Sequence, residues 1–394
     1  MRDGWVDYKF KDVATAIKGK LPKSKNEDGI GVPYLTASYL RSSQPDYWIE
    51  NLEGAVTAED GDCLILWDGA GAGDLFSARC GVVSSTMAVV ITQNSKILRE
   101  FLTLFISSKA DYIKETCRGT TVPHVSPDAI ANMELKIPPL PEQKRIVDLI
   151  SSVDSYIEAL QQQLESAKRS RNAVLHELLT TGGDDWVETT LGEAAEVIMG
   201  RQLSPSKKLG TRPRPYIRAA NIGSWGINLE DIYEMDFTKI EEERFACQVG
   251  DTILVEGGNE KSVGCPALIT EKESGLCIQN TVIRSRSRNS KVLDPNFQYH
   301  LLRFMFWRGD FAQLCAGTTI MHLGQKRAEI VPIAIPPLGD QLHIVDTISK
   351  FDSAVTYSEE TLNSAKSLRS GLLSDLLSGD HEIPASYDKV MGAA

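Results

Sequence analysis

Two short runs carry residue types that could touch a phosphate or a base edge, and each run has a twin. Cys117-Arg118-Gly119-Thr120-Thr121-Val122-Pro123-His124 is matched 198 residues later by Cys315-Ala316-Gly317-Thr318-Thr319-Ile320-Met321-His322. A glycine that lets the backbone turn, two hydroxyls and an imidazole can donate hydrogen bonds to phosphate oxygens or base edges. The same run suits a structural turn whose threonines cap the next element, and both readings stand at this level. Basic side chains gather at two matching places. Lys18, Lys20, Lys23 and Lys25 lie in an acid-free stretch near the start, and Arg201, Lys207, Lys208, Arg212, Arg214 and Arg218 lie in another. Either set could be a solvated loop, but their recurrence at one repeat position raises phosphate contact to an equal reading.

Catalytic groupings are missing. Pro127-Asp128 followed by Glu134-Leu135-Lys136 imitates a nuclease PD…ExK pattern, but five residues between the parts are too few for the two strands such a metal site uses. The second copy has Gln325, Lys326, Pro332 and Ala334 there, so the carboxylates are not repeated. Asp294-Pro295-Asn296-Phe297 resembles an amino-methyltransferase tetrapeptide without its second proline, and no glycine-rich or P-loop motif accompanies it. Of six histidines only His124 and His322 share a repeat position, and neither has Cys or Asp at metal-ligand spacing. The chain reads as non-catalytic, with no metal and no cofactor of its own.

The elements that would position these residues are also duplicated. Ile137–Gly182 reads as a proline-led helix with apolar or small residues at Ile146, Ile150, Val153, Ile157, Leu160, Leu164, Ala167, Val174 and Leu178, interrupted by Arg171. Steps alternating between four and three make a heptad seam. Ile335–Gly379 repeats it without insertion or deletion, down to Arg369 in place of Arg171. A helix of about 39 residues is about 58 Å long, too long for a small core, so each is expected to pack along the other with each seam arginine reaching an acid, a carbonyl or the helix edge.

Ahead of each helix the same markers recur. Trp5 matches Trp186, Ile17 matches Ile198 and Gly19 matches Gly200 at a separation of 181; Pro33-Tyr34 matches Pro215-Tyr216 at 182; Gly61-Asp62 matches Gly250-Asp251 at 189. The separation drifts through the globular parts and stays fixed through the helices, so loops were resized while the helix register was kept. Strand-like runs (Cys63 to Trp67, Ala88 to Thr92, Val282 to Ser285) alternate with amphipathic helices (Arg99 to Ser108, Phe297 to Trp307), giving a mixed α/β fold in each globular part. The expected divisions are 1–136, a helix over 137–183, 184–334, a helix over 335–379 and a flexible tail over 380–394.

A hydrophobic fraction of 42% supports real cores, and a net charge of −11 argues against nucleic-acid binding by bulk charge alone. Seven cysteines form no CxxC pair, which fits reduced, mostly buried thiols and a cytoplasmic location. Neither a signal peptide nor a membrane-length apolar run is expected.

The repeated globular part, Gly-Thr-Thr loop, IPPL…Q segment and long helix resemble the specificity subunit of a Type I restriction–modification system across nearly the whole chain. Gly339-Asp340 in place of the first copy's Pro141-Glu142, and Met321 in place of Pro123, are the departures. The resemblance implies two target recognition domains, each reading half of a bipartite site in double-stranded DNA. The helices would pair as an antiparallel coiled-coil spacer and dock two methyltransferase (modification) subunits that use S-adenosylmethionine to methylate adenine at N6; restriction subunits can join. On that basis base readout is expected from Thr36, Ser38, Tyr39, Arg218 and Asn221, with Asn221 pairing with adenine and Arg218 with guanine, and from Arg118, Thr120, Thr121, His124, Thr318, Thr319, His322 and Lys326 around the Gly-Thr-Thr loops. Lys20, Lys23, Lys25, Arg201, Lys207, Lys208, Arg212 and Arg214 would hold phosphates. A coiled-coil interaction scaffold without a DNA role is the rival reading, and it predicts no salt-dependent retention on DNA.

Overall fold

The computed structural model describes residues 4–119, 122–203, 211–223, 226–315 and 320–388. They belong to two compact units, Met1–Gln162 with Glu360–Ala394 and Gln163–Glu359. The units therefore cut across the boundaries expected at 136, 183 and 334. The reason is packing: each long helix contributes apolar side chains to both cores.

In the first unit, four antiparallel strands run in the order Ala14–Lys18, Met87–Thr92, Cys63–Leu66, Leu75–Ser77. The middle strands are apolar runs because both faces are covered, and side chains alternate between them. Cys63, Ile65 and Val90 face the Arg99–Ser108 helix through Phe101 and Phe105. Leu64, Leu66 and Val89 face Leu35 and Val83 of a second sheet. That sheet runs Trp48–Ile49, Val32–Leu35, Gly81–Val83, Thr57–Ala58, with its central pair parallel. A ribbon of Val6–Lys9 against Glu134–Ile137 closes the unit, so Glu134 and Lys136 lie on one strand while Asp128 sits in the short Pro127–Ala131 helix capped by Ser126.

The second unit repeats the order with Ala195–Met199, Val282–Ser287, Thr252–Val255 and Pro266–Leu268. Val187–Thr190 pairs with Pro332–Ile335, and Pro213–Ile217 lies between Tyr233–Asp236 and Cys277–Ile278. One glycine pair is demanded by this architecture. A Cβ on Gly19 would meet the Val83 carbonyl oxygen at 2.2 Å, and one on Gly200 would meet that of Gln279 at 2.3 Å.

The long helices are Leu140–Thr180 and Leu338–Ser378, 41 residues each. Gly339-Asp340 does not displace the second start, because a glutamine sets both. Gln143 accepts from Leu98 N and donates to the Lys96 and Pro138 carbonyls, each at 2.8 Å. Gln341 makes the same three bonds to Asp294, Val292 and Pro336 at 2.8 Å. Both are fully buried.

In the first unit Ile146 and Ile150 share a core with Leu373, Leu376 and Leu377, and Asp154 meets Arg369. In the second, Leu175 and Leu179 share a core with Ile344 and Ile348, and Arg171 meets Asp352. Within each unit numbers rise along one helix segment as they fall along the other. The first helix buries Ile146, Ile150, Ile157, Leu160 and Leu164 as the heptad requires, but after Arg171 it buries Leu175 and Leu179 rather than Val174 and Leu178. A straight α-helix drifts ~20° per heptad, so four heptads accumulate about one residue's rotation. Among the described residues no helix is long and apolar enough to cross a membrane.

Candidate nucleic-acid interface

In the first unit the Ala14–Lys18 strand ends beside Asp68, whose carboxylate lies 2.5 Å from Lys18 Nζ. The Asp68 backbone also pairs antiparallel with that of His124, and His124 exchanges backbone hydrogen bonds with Arg118 at 2.8 and 2.9 Å across Gly119 (φ +103°). The structure thus brings Arg118 and His124 to the end of the strand that leads into Lys20 and Lys23. All four side chains are exposed, and no ion pair involves them among the described residues. Lys25 places its ammonium 3.3 Å from the centroid of the Tyr47 ring.

The segment after Val32–Leu35 is a helix, Ala37–Ser42, rather than the expected loop. Thr36 caps it, accepting from Tyr39 N at 3.1 Å and donating to Asp46 at 3.3 Å. Tyr39 is packed in the core with Leu35 and Met87. Both residues therefore serve structure, and only Ser38 of that trio is exposed.

In the second unit the expected readout pair is also engaged internally. Asn221 is 1% exposed; its amide donates to the Asn228 and Asp231 carbonyls at 3.2 and 2.9 Å, and its oxygen accepts from Arg218 N at 3.0 Å. With both donors occupied it cannot pair with adenine in this conformation. Arg218 is held by Asp231 and lies 4.1 Å from the Tyr233 ring centroid.

The other arginines converge on one short helix, Lys239–Phe245. Glu242 takes Arg212 on one carboxylate oxygen at 2.6 Å and Arg214 on the other at 2.7 Å. Arg212 and Arg214 are two apart along an extended segment, so both side chains leave by the same face. Glu241 lies 2.8 Å from Arg201. Its other oxygen accepts from Thr238 N at 2.9 Å, and this bond is the first of the causes that hold its carboxyl below the usual range. His322 pairs with Glu256 at 3.0 Å, unlike His124, and Lys326 is exposed on the Gln325–Glu329 helix. Thr120, Thr121, Lys207, Lys208, Thr318 and Thr319 lie outside the described residues.

Sequence reading missed the acids, Asp231, Glu241, Glu242 and Asp68. A faint signal existed: the alternation Arg212-Pro213-Arg214-Pro215 is strand-like, and Glu241-Glu242-Glu243 is an acid run of the right size to face it. The tempting Asp294 is the N-cap of the Pro295–Arg308 helix, accepting from Asn296 N and Phe297 N.

Such a chain is a tandem repeat of one α/β domain, each copy carrying its own long helix and polar strand-end loops. It belongs to the Type I restriction modification DNA specificity domain family, which it matches twice, over residues 2–169 and 183–367. It is similar to the Type I restriction enzyme MjaVIII specificity subunit of Methanocaldococcus jannaschii, 22% identical over 406 residues that cover 96% of this chain and 93% of that protein. The fold resembles the crystal structure of a Type I restriction–modification S subunit from M. genitalium, with TM-score 0.55 and 15% identity over 95% of this chain and 96% of that one. It also resembles a chain from a structural study of assembly and conformational transition in the type I R-M system, with TM-score 0.64, 18% identity, and 96% and 98% coverage.

Proposed function

We propose that this chain is the sequence-reading subunit of a Type I restriction–modification complex, each unit engaging one half of a bipartite duplex site. The observation that carries the reading is the double family match laid over one repeated sheet order whose strand-end side chains differ between copies. A shared scaffold with divergent polar ends is what two readers of different half-sites require. The paired helix segments act as an antiparallel coiled-coil spacer and dock two modification subunits, which bind S-adenosylmethionine; restriction subunits join that assembly. This chain carries no catalytic group or cofactor in the proposal, and it works in the cytoplasm, in keeping with its free thiols.

Lys20, Lys23, Lys25, Arg118 and His124 in the first unit, and Lys326 and His322 in the second, are the described side chains best placed for phosphate or base-edge contact. The test exchanges residues 1–136 for those of another reader and maps methylated sites with the modification subunits present. One half-site should change and the other persist; a change in both, or in neither, overturns the modular reading.

A further inference from the structure

The two units meet a polyanion in different electrostatic states. In the first, Lys20 and Lys23 are exposed and make no ion pair among the described residues. In the second, Arg201, Arg212 and Arg214 are each 2.6–2.8 Å from a carboxylate of the Lys239–Phe245 helix. That helix belongs to the second unit alone. The separation of matched residues grows from 182 at Pro33/Pro215 to 189 at Gly61/Gly250, so seven more residues lie between those markers in the second copy. The helix is itself seven residues long, and the first unit has none between Trp48–Ile49 and Thr57–Ala58.

The helix is anchored at its end and open along its length. Phe245 packs near Phe237, with ring centroids 6.4 Å apart, and Arg284 donates to the Arg244 and Ala246 carbonyls at 3.1 and 2.8 Å. None of its residues is buried, and Ile240 is largely exposed. It is thus a fixed platform holding Glu241 and Glu242 against cations that remain partly in water. A carboxylate at this distance occupies the place of a phosphate oxygen on a guanidinium. Arg212 and Arg214 are about half exposed and their pairs with Glu242 are weak, while the Arg201–Glu241 pair is more covered; a duplex backbone could displace them, but only by leaving two carboxylates uncompensated.

We infer that Glu241 and Glu242 are specificity-determining residues that mask the second unit's arginines with a carboxylate stand-in for the DNA backbone. The inference rests on the duplex-reading role proposed above. Arbitrary duplex is refused because its phosphates gain little by replacing the carboxylates. A cognate half-site adds base contacts that make the exchange favourable, and the first unit, whose Lys20 and Lys23 need no unmasking, engages first.

The test uses the full chain and a fluorescein-labelled duplex of arbitrary sequence, read by anisotropy across a potassium chloride series. Glu241→Gln with Glu242→Gln keeps the side-chain acceptor that caps Thr238 N, so the helix is retained; an unchanged melting temperature checks this. The double variant should bind arbitrary duplex about tenfold tighter, with the salt slope steeper by up to about 2.7, as expected for three freed cations at ~0.9 each. Adding Arg201→Gln, Arg212→Gln and Arg214→Gln should abolish the gain. Masking is overturned if wild type binds duplex and the double variant matches it in affinity and slope, or if the gain survives loss of the arginines. If no version binds any duplex, alone or with the modification subunits, the duplex-reading role itself fails and masking fails with it.

Discussion

Arg369 donates to Asp154 through Nη2 at 2.8 Å, and the residues 198 positions away repeat the pair with chain order exchanged, Arg171 donating to Asp352 at 3.2 Å. The same two sequence positions thus meet in both units, as positions do across a twofold interface. The copies differ in support. Arg303 adds a two-pronged bond to Asp352 at 2.8 and 2.9 Å, and both arginines lie over Trp307, 4.6 and 4.8 Å from its centroid.

Loss of the acid should therefore cost more in the second unit. Asp352→Asn strands two arginines in a partly buried site and should cost about 2 kcal/mol, below the ~3–5 kcal/mol of a fully buried pair. Asp154 is about half exposed, so Asp154→Asn should cost less than about 1 kcal/mol. Arg303 holds the Asp352 carboxyl below its usual range despite burial. Its stabilisation is present above the unfolded value of about 4 and is lost as pH falls through the lower folded value. Urea melts of both variants at neutral and acid pH would show a reversed order if this account is wrong.

Gln143 and Gln341 should be the most sensitive polar positions at the helix starts. Each is itself buried and makes three hydrogen bonds, and each bond is worth about 1 kcal/mol with more lost when partners are left unsatisfied. Gln143→Ala and Gln341→Ala should each destabilise their unit by about 2–4 kcal/mol, and equal losses would support equivalent roles. Thermal unfolding measures both; a loss under about 1 kcal/mol in either contradicts the assignment.

His300 makes the second unit acid-sensitive. Burial, and then Arg303, pushes its imidazole down to about 4. Arg171 acts in the same direction, while Asp352 and Asp294 oppose it. Between the unfolded value of about 6.5 and the folded value of about 4, the unfolded chain binds a proton that the folded chain refuses, so stability falls as pH drops through that window. At ~1.4 kcal/mol per pH unit the full effect is about 3 kcal/mol. His300→Gln should flatten the stability profile from pH ~6.5 to ~4; an unaltered profile would remove His300 as its source.

Cys80 should be the fast thiol. It is the exposed one of the seven, whereas burial pushes Cys63, Cys247 and Cys277 up to about 12 and raises Cys117, Cys265 and Cys315. Reaction with an aromatic disulfide reagent should show one rapid equivalent, absent in Cys80→Ser, since the thiolate is the reacting species. A second rapid equivalent in that variant would contradict the covering of the other six, of which Cys117 and Cys315 are partly buried and the rest buried.

Much of the architecture was legible because it is written in period and repetition. The 198-residue register located both long helices, and the arginine in each seam had to reach an acid, a carbonyl or the helix edge; Asp154 and Asp352 supply the acid. The Arg99–Ser108 helix and the buried Cys63–Leu66 strand followed from apolar spacing. Local spacing is a property of the chain itself and needs no partner to be read. What tertiary structure decided was which polar groups were already used. Asn221 and Tyr39 look like readers in sequence, yet one is hydrogen-bonded inside its own loop and the other is core. Arg201, Arg212 and Arg214 look like free cations, yet they face carboxylates some thirty to forty residues on. A side chain's chemistry is set by what lies within about 3 Å of it. For loop residues that neighbourhood is built by non-local packing, whose pairings leave no period in the sequence.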